Sequence, residues 1–465
     1  MSTISRRHPT EWVKPRSSAP MLDKFAAIPI AACVYALIVS PLLAHYLLVH
    51  LPPGAMLEPD WGARIFWPGL AIISAIMILR NRSDFGRLVW PPHILCLFVY
   101  LALAGVSVLW AFKPDTSFIR YVQQVMVVTT VVVPALLADR RADMIRALFL
   151  CFACATVLNV FFVLGGDPLV VQYGAKSENI GYPGYFLGKN YLGECATLAV
   201  LLSIHEMLYR GLRRVLGIIV IAVSLFLVFM ADSKTALGLA IVTPCLAGLT
   251  LIATKKMRLS PAIVLLPIPL GYTILSSVSN FSINRLSYML FGDSTLTGRT
   301  LIWDFATTEI ARQPLLGWGY QSFWLVGPDS PSLVDAPGWI KMMPNAHNGY
   351  YDTTLEIGYI GYCLLLIFIL VTLHAIGRVA YRDAARAWLL LSVALYIICF
   401  NYLESLWMRG FEFLWVVFLI VAAEIGRYWQ PLPQKAVRTD TGFAVPRGSR
   451  PGHAGNSRPG RPNAI

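Results

Sequence analysis

The sequence predicts an all-α polytopic membrane protein of about 12 transmembrane helices, with one large outer loop that contains short helices. Three observations carry this. The chain of 465 residues is 57% hydrophobic and 14% charged, whereas a soluble enzyme carries about a quarter charged residues. About a dozen apolar runs approach the roughly 20 residues a helix needs to cross a bilayer. Lys and Arg crowd alternate loops, as the positive-inside rule requires. In lipid the backbone must satisfy its own hydrogen bonds, so the runs are helices rather than open strands.

In chain order, a basic tail over 1–24 leads into nine spans, at about 25–50, 63–79, 91–112, 118–138, 145–165, 185–208, 214–231, 235–253 and 261–279. A polar loop over 280–349 follows. Three more spans, at about 350–374, 386–403 and 410–426, complete the membrane part within 350–428, and 429–465 forms a second tail. The first apolar run lacks the small-residue pattern of a cleaved signal and is long enough to remain as an anchor. The last stretch is rich in Pro, Gly, Arg and Ser, a composition that predicts disorder and contact with anionic headgroups.

The net charge of +13 would suggest nucleic acid in a soluble domain. Here the charge follows topology instead. Arg6, Arg7, Lys14, Arg16 and Lys24 precede the first span; Arg80, Arg82 and Arg87 fill the second loop; Arg140, Arg141 and Arg146 the fourth; Arg210, Arg213 and Arg214 the sixth. Lys255, Lys256 and Arg258 occupy the eighth, and Arg378, Arg382 and Arg386 the tenth. Both termini are therefore expected in the cytoplasm and the 280–349 loop outside, with membrane lipid and no nucleic acid as partner. All eight cysteines lie in apolar spans, and Cys151-x-x-Cys154 has no flanking His or Asp, so packing is their expected role.

Inside the outer loop, Leu301, Ile302, Phe305, Ala306 and Ile310 follow one-sided helical spacing. The helix runs from about Gly298 to Arg312, with Thr297 as N-cap and Gln313-Pro314 as the stop. Arg299 falls in its first turn. That helix could lie on the bilayer with Arg299 solvated, or hold Arg299 over a cavity. The aromatic, Pro/Asp/Ser-rich stretch through Pro344 suits either an interfacial loop or a sugar-stacking surface.

Ionisable groups at the ends of spans are functional candidates by default. On the outer side these are Arg120, Lys189 beside Asn190, Lys234, Arg299, His347, Glu404 and Arg409. Any one cation alone could anchor the interface. As a set, on a face otherwise poor in Lys and Arg, they form a credible polyanion site. Charge-assisted hydrogen bonds would hold a diphosphate and stabilise its departure. His347, beside Asn348, is of the residue type that exchanges a proton near neutrality. No DxD, HExxH or paired His/Cys spacing occurs on this face, which disfavours a metal, and no Walker A or Rossmann fingerprint supports a nucleotide. No cofactor is expected.

Three segments resemble the O-antigen ligase and polysaccharide polymerase superfamily, nearest its exopolysaccharide repeat-unit polymerases of the Wzy or ExoQ type. His347-Asn348, nine residues, then Gly358-x-x-Gly361 is similar to its H-N-x9-G-x-x-G pattern. "TGRTLIWDFATTEIARQPLLGWGYQSFW" is similar to its outer-loop Gly-Arg…Trp…Pro-Leu-x-Gly-x-Gly segment, and "GYFLGKNYLG" with "DSKTALG" to its Lys-Asn-x-Leu-Gly and Ser-[Arg/Lys]-Thr elements. The likeness covers about 110–425. One departure stands: Arg299-x-x-x-Trp303 replaces the Arg-x-x-x-Leu common in ligases.

The resemblance implies a GT-C-like, metal-independent glycosyltransferase of the bacterial inner membrane. Its substrate would be undecaprenyl-diphosphate-linked glycan at the periplasmic face, and a chain-length regulator protein would be a possible partner. His347 would accept the proton of the attacking hydroxyl. Arg299, with Arg120, Lys189, Lys234 or Arg409, would neutralise the leaving diphosphate, and Asn190 and Asn348 would orient sugar hydroxyls. A ligase, which moves finished glycan onto lipid A-core, shares the same donor chemistry. A flippase or transporter would need intramembrane charges and broken helices in two repeats. Glu356, Pro134, Pro244 and Pro267 give that alternative a foothold, but no internal repeat is visible.

Overall fold

Every expected apolar run forms a helix in the computed structural model, which describes residues 22–50, 61–165, 181–279 and 298–430 together with 285, 289 and 296. In chain order these are α1 Ala27–Leu47, α2 Gly62–Arg80, α3 Pro92–Trp110, α4 Pro114–Leu137 and α5 Met144–Leu164. There follow α6 Lys189–Met207, then α7 Leu212–Met230, α8 Lys234–Met257 and α9 Pro261–Val278. The helix expected in the 280–349 loop is α10 Arg299–Arg312. The chain closes with α11 Gly349–Ala380, α12 Ala384–Phe400 and α13 Phe413–Arg427. Among the described residues nine helices are long and apolar enough to cross a membrane, and there is no strand. Helices α6, α12 and α13 lie outside that set of nine, α12 and α13 being only 17 and 15 residues long. The expected N-cap Thr297 and both tails lie outside the described residues.

Burial sorts the helices. All residues of α13 from Phe413 to Arg427 are buried, packed against α1, α3, α4, α11 and α12. A helix apolar on every side belongs inside a bundle. In contrast α2, α7 and α9 leave Ile65, Leu79, Leu212, Phe229, Ile274 and Val278 exposed, as lipid-facing helices do. Where proline frees a backbone group, a side chain takes it up. Pro41 cannot donate to the carbonyl of Leu37, the helix widens to a π turn over Tyr35–Val39, and Tyr185 Oη donates to Leu37 O at 2.9 Å.

Helix α11 is broken where the sequence carries Gly358. Ile357 (φ −132°, ψ 20°) and Gly358 (φ 66°, ψ −172°) are non-helical, and the Pro314–Trp318 segment fills the break. Tyr359 N donates to Pro314 O at 2.8 Å and Trp318 N to Leu355 O at 2.8 Å, so the freed groups are paired again. A Cβ on Gly358 would stand 2.1 Å from Leu315 O, and one on Gly317 2.6 Å from Glu356 C. The two glycine-bearing motifs, far apart in sequence, are two halves of one joint. Beneath it, Arg409 binds Glu356 at 2.9 Å and Asp352 at 3.2 Å. Glu356, one of the residues that give the transport alternative its foothold, is an ion-pair partner of Arg409 at the joint.

Candidate functional site

A cavity of 460 Å³ opens at the end of the bundle where α6, α8, α10 and α11 begin. Helix N-termini carry unpaired N–H groups and partial positive charge, so the starts of α6, α8 and α10, which line this space, favour an anion. Lys189 and Lys234 are the first residues of α6 and α8, and Arg299 is the first of α10. With Asn190 and His347 they line the cavity. Three cations thus face two carboxylates, Asp232 and Glu404.

Glu404 organises the site. Its Oε1 accepts from Arg299 Nη2 at 2.6 Å and Asn190 Nδ2 at 2.9 Å, and its Oε2 pairs with His347 Nδ1 at 3.0 Å. Burial works against its charge, yet the His347 hydrogen bond, the Arg299 charge and the Asn190 amide together hold its carboxyl below the usual glutamate value. A carboxylate on Nδ1 favours the tautomer with the proton on that nitrogen and leaves Nε2 as the acceptor. Nε2 makes no protein hydrogen bond among the described residues. On the far side Lys189 Nζ lies 3.5 Å from Asp232 Oδ2.

The backbone around His347 is built to hold it there. His347 has φ 48°, a left-handed conformation uncommon for a side-chain-bearing residue, though His is enriched in it. Its N–H donates to Asn345 Oδ1 at 2.9 Å. The N–H of Ala346 donates to the Asp352 carboxylate at 3.1 Å, and the carbonyl of Ala346 accepts from Trp303 Nε1 at 3.0 Å. Trp303, the departure from the ligase pattern, also stacks on Tyr351 at 5.9 Å. It is therefore an anchor for the segment that carries His347. The Glu404 loop is docked from the same side: Asn348 N donates to Ser405 Oγ at 3.0 Å, and Gly349 N to Asn401 O at 2.8 Å and Glu404 O at 3.0 Å.

Of the eight residues expected at the site, the structure gathers five: Lys189, Asn190, Lys234, Arg299 and His347. The other three do not line the cavity. Asn348 is a buried N-cap whose side-chain oxygen accepts from Tyr350 N and Tyr351 N. Arg120 donates to Gln321 O at 2.6 Å and ties α4 to the 280–349 loop. Arg409 is committed to Glu356 and Asp352, whose charges raise its pKa although burial lowers it. Glu404 was visible as an outward-facing charge but not as a partner of His347. The two are 57 residues apart, and nothing in the local pattern joins them.

The fold and the site define a polytopic membrane protein with a histidine–carboxylate pair set among cations at one end of its bundle. Residues 218–366 match the O-antigen ligase family profile, a span that includes Lys234, Arg299 and His347. The chain is 22% identical over 313 residues to the exopolysaccharide production protein ExoQ of Rhizobium meliloti, covering 66% of this chain and 68% of that one. Candidate polysaccharide ligases of Rickettsia felis and Rickettsia bellii are 25% and 27% identical over 127 residues, 26% of this chain and 31% of each of theirs. The chain is similar to the O-antigen ligase family over that span, and to ExoQ over two-thirds of its length.

Proposed function

We propose that this protein is a membrane glycosyltransferase that polymerises undecaprenyl-diphosphate-linked oligosaccharide repeat units at the periplasmic face of the inner membrane. The observation that carries the reading is the His347–Glu404–Arg299 constellation, set among the starts of α6, α8 and α10. The likeness over two-thirds of the chain to a protein named for exopolysaccharide production supports a role in making such a polymer. In this reading the termini are cytoplasmic, and a chain-length regulator is the natural partner.

The chemistry follows from the geometry. A hydroxyl of the acceptor glycan attacks the anomeric carbon of the donor as the bond to the diphosphate oxygen breaks through an oxocarbenium-like transition state. His347 Nε2 takes the hydroxyl proton, and Glu404 steadies the resulting imidazolium. General-base catalysis of this kind contributes about 10²–10⁴-fold. The leaving diphosphate gathers charge where Lys189, Lys234 and the starts of α6 and α8 face the cavity. Arg299 has donors beyond the one it gives Glu404, and guanidinium suits phosphate oxygens.

The family profile and the Rickettsia names favour a second reading, ligation of finished glycan to lipid A-core. One experiment addresses both. Cells carrying His347→Ala or Arg299→Ala should lose the glycan product while the protein still inserts in the membrane. Full-length product from both variants refutes the catalytic assignment. A ladder of repeat units on the lipid carrier in wild-type cells marks a polymerase; one long glycan transferred onto lipid A-core marks a ligase.

A further inference from the structure

We propose that Trp339 is a sugar-binding platform inside the cavity: a pyranose ring of the lipid-linked glycan stacks on its indole and is thereby presented to the His347–Glu404 pair. The inference rests on the glycan-transfer reading above and names the part of the substrate that this wall recognises.

The four tryptophans of the outer loop separate into two kinds. Trp303, Trp318 and Trp324 donate their indole N–H to Ala346 O, Glu309 O and Asp352 Oδ1, at 3.0, 3.2 and 2.8 Å. Their rings pack on Tyr351, Phe323 and Phe305. Trp339 does neither. Among the described residues its N–H has no partner and its ring stacks on no other, and it stays 48% exposed while lining the cavity with His347 and Arg299. Its neighbour Ile340 is 3% exposed in the apolar cluster under the loop, so the Gly338–Met342 turn is pinned through Ile340 while Trp339 points to the cavity.

The ring is also seated. A Cβ on Gly298 would stand 3.3 Å from Cζ2 and Cη2 of Trp339, and Gly298 has φ 82°. The missing side chain lets the indole edge rest on the backbone immediately before Arg299, which binds Glu404. Ile302 and Met343 continue this apolar wall, opposite in character to the lysines that face an anion. A diphosphate has no use for an indole face. A sugar does, because its C–H face is apolar and its hydroxyls can accept the free N–H. A tryptophan of the interfacial belt would instead meet lipid.

The full-length protein, purified in detergent, is given two probes: undecaprenyl diphosphate without sugar, and lipid-linked oligosaccharide extracted from cells that cannot polymerise it. Trp339→Ala should weaken the second about tenfold and raise its KM with little change in kcat, an aromatic contact being of about that size. Binding of undecaprenyl diphosphate should stay within about twofold, since charged groups hold it, and Trp339→Phe should restore most of the loss. Equal loss with both probes, or no loss with either, overturns the platform while leaving the glycan-transfer reading standing. A wild-type protein that binds neither probe overturns that reading and the platform with it.

Discussion

Glu404→Gln tests the arrangement at its hinge point. Three donors converge on the carboxylate: Arg299 and Asn190 on one oxygen, His347 on the other. Glutamine has one acceptor oxygen and one donor group. Keeping the oxygen toward Arg299 and Asn190 turns the amide NH₂ toward His347 Nδ1, which must then accept. The imidazole proton moves to Nε2, and the nitrogen that faces the cavity is no longer a base. The expected loss in kcat is about 10³-fold, or about 4 kcal/mol in the barrier, within the range of a lost general base. KM for the lipid-linked donor should hold or fall, because Arg299 is released from a 2.6 Å ion pair. Single-turnover elongation of purified lipid-linked repeat units measures both. A variant within about threefold of wild-type kcat refutes the assignment of Glu404.

The same variant has a pH signature. The folded pKa of Glu404 is depressed, so its contribution is present above the ordinary carboxylate range and disappears only as pH falls through the lowered value. Lowering the pH through the ordinary carboxylate range should therefore leave the Glu404 contacts intact in the wild type, with loss only below it. Glu404→Gln has no carboxylate to protonate and should not show that loss at low pH. Glu412, which burial pushes up to about 7, is the neighbouring carboxyl that titrates near neutrality. Glu412→Gln should leave the low-pH loss that belongs to Glu404 unchanged.

Two further substitutions test the frame around the site. Gly358→Ala forces a Cβ to 2.1 Å from Leu315 O at a residue with φ 66°; the left-handed backbone alone costs about 1 kcal/mol and the overlap adds to it. A lowered melting temperature with loss of product is expected, and unchanged melting contradicts the joint. Arg409→Ala leaves Asp352 and Glu356 without their cation; breaking a buried pair costs about 3–5 kcal/mol. Thermal unfolding in detergent should show a large drop, and a melting temperature equal to wild type refutes the brace.

The apolar runs were legible as helices because a membrane span demands length and composition, and both are local; nine helices among the described residues meet that demand. The outer-loop helix was legible for the same reason, with one difference: Leu301, expected on its inner face, is 50% exposed, and Trp303 takes that place. The joint was legible only as two separate glycine motifs, since their pairing depends on the 314–318 segment reaching back across the helix break. Arg120 and Arg409 looked alike to Lys189 and Lys234 as outer cations. What separates them is a carbonyl of Gln321 and the carboxylates of Asp352 and Glu356, partners that only the tertiary fold supplies. Glu404 escaped for the converse reason: a lone acid in a short loop acquires its meaning from three residues on three other segments.

The most direct measurement gives the purified protein its undecaprenyl-diphosphate-linked oligosaccharide with EDTA and no nucleotide, and follows glycan length on a gel. The account predicts a ladder of lengthened product from wild type and none from His347→Ala. A ladder from both proteins, or none from wild type until a metal or nucleotide is added, contradicts it.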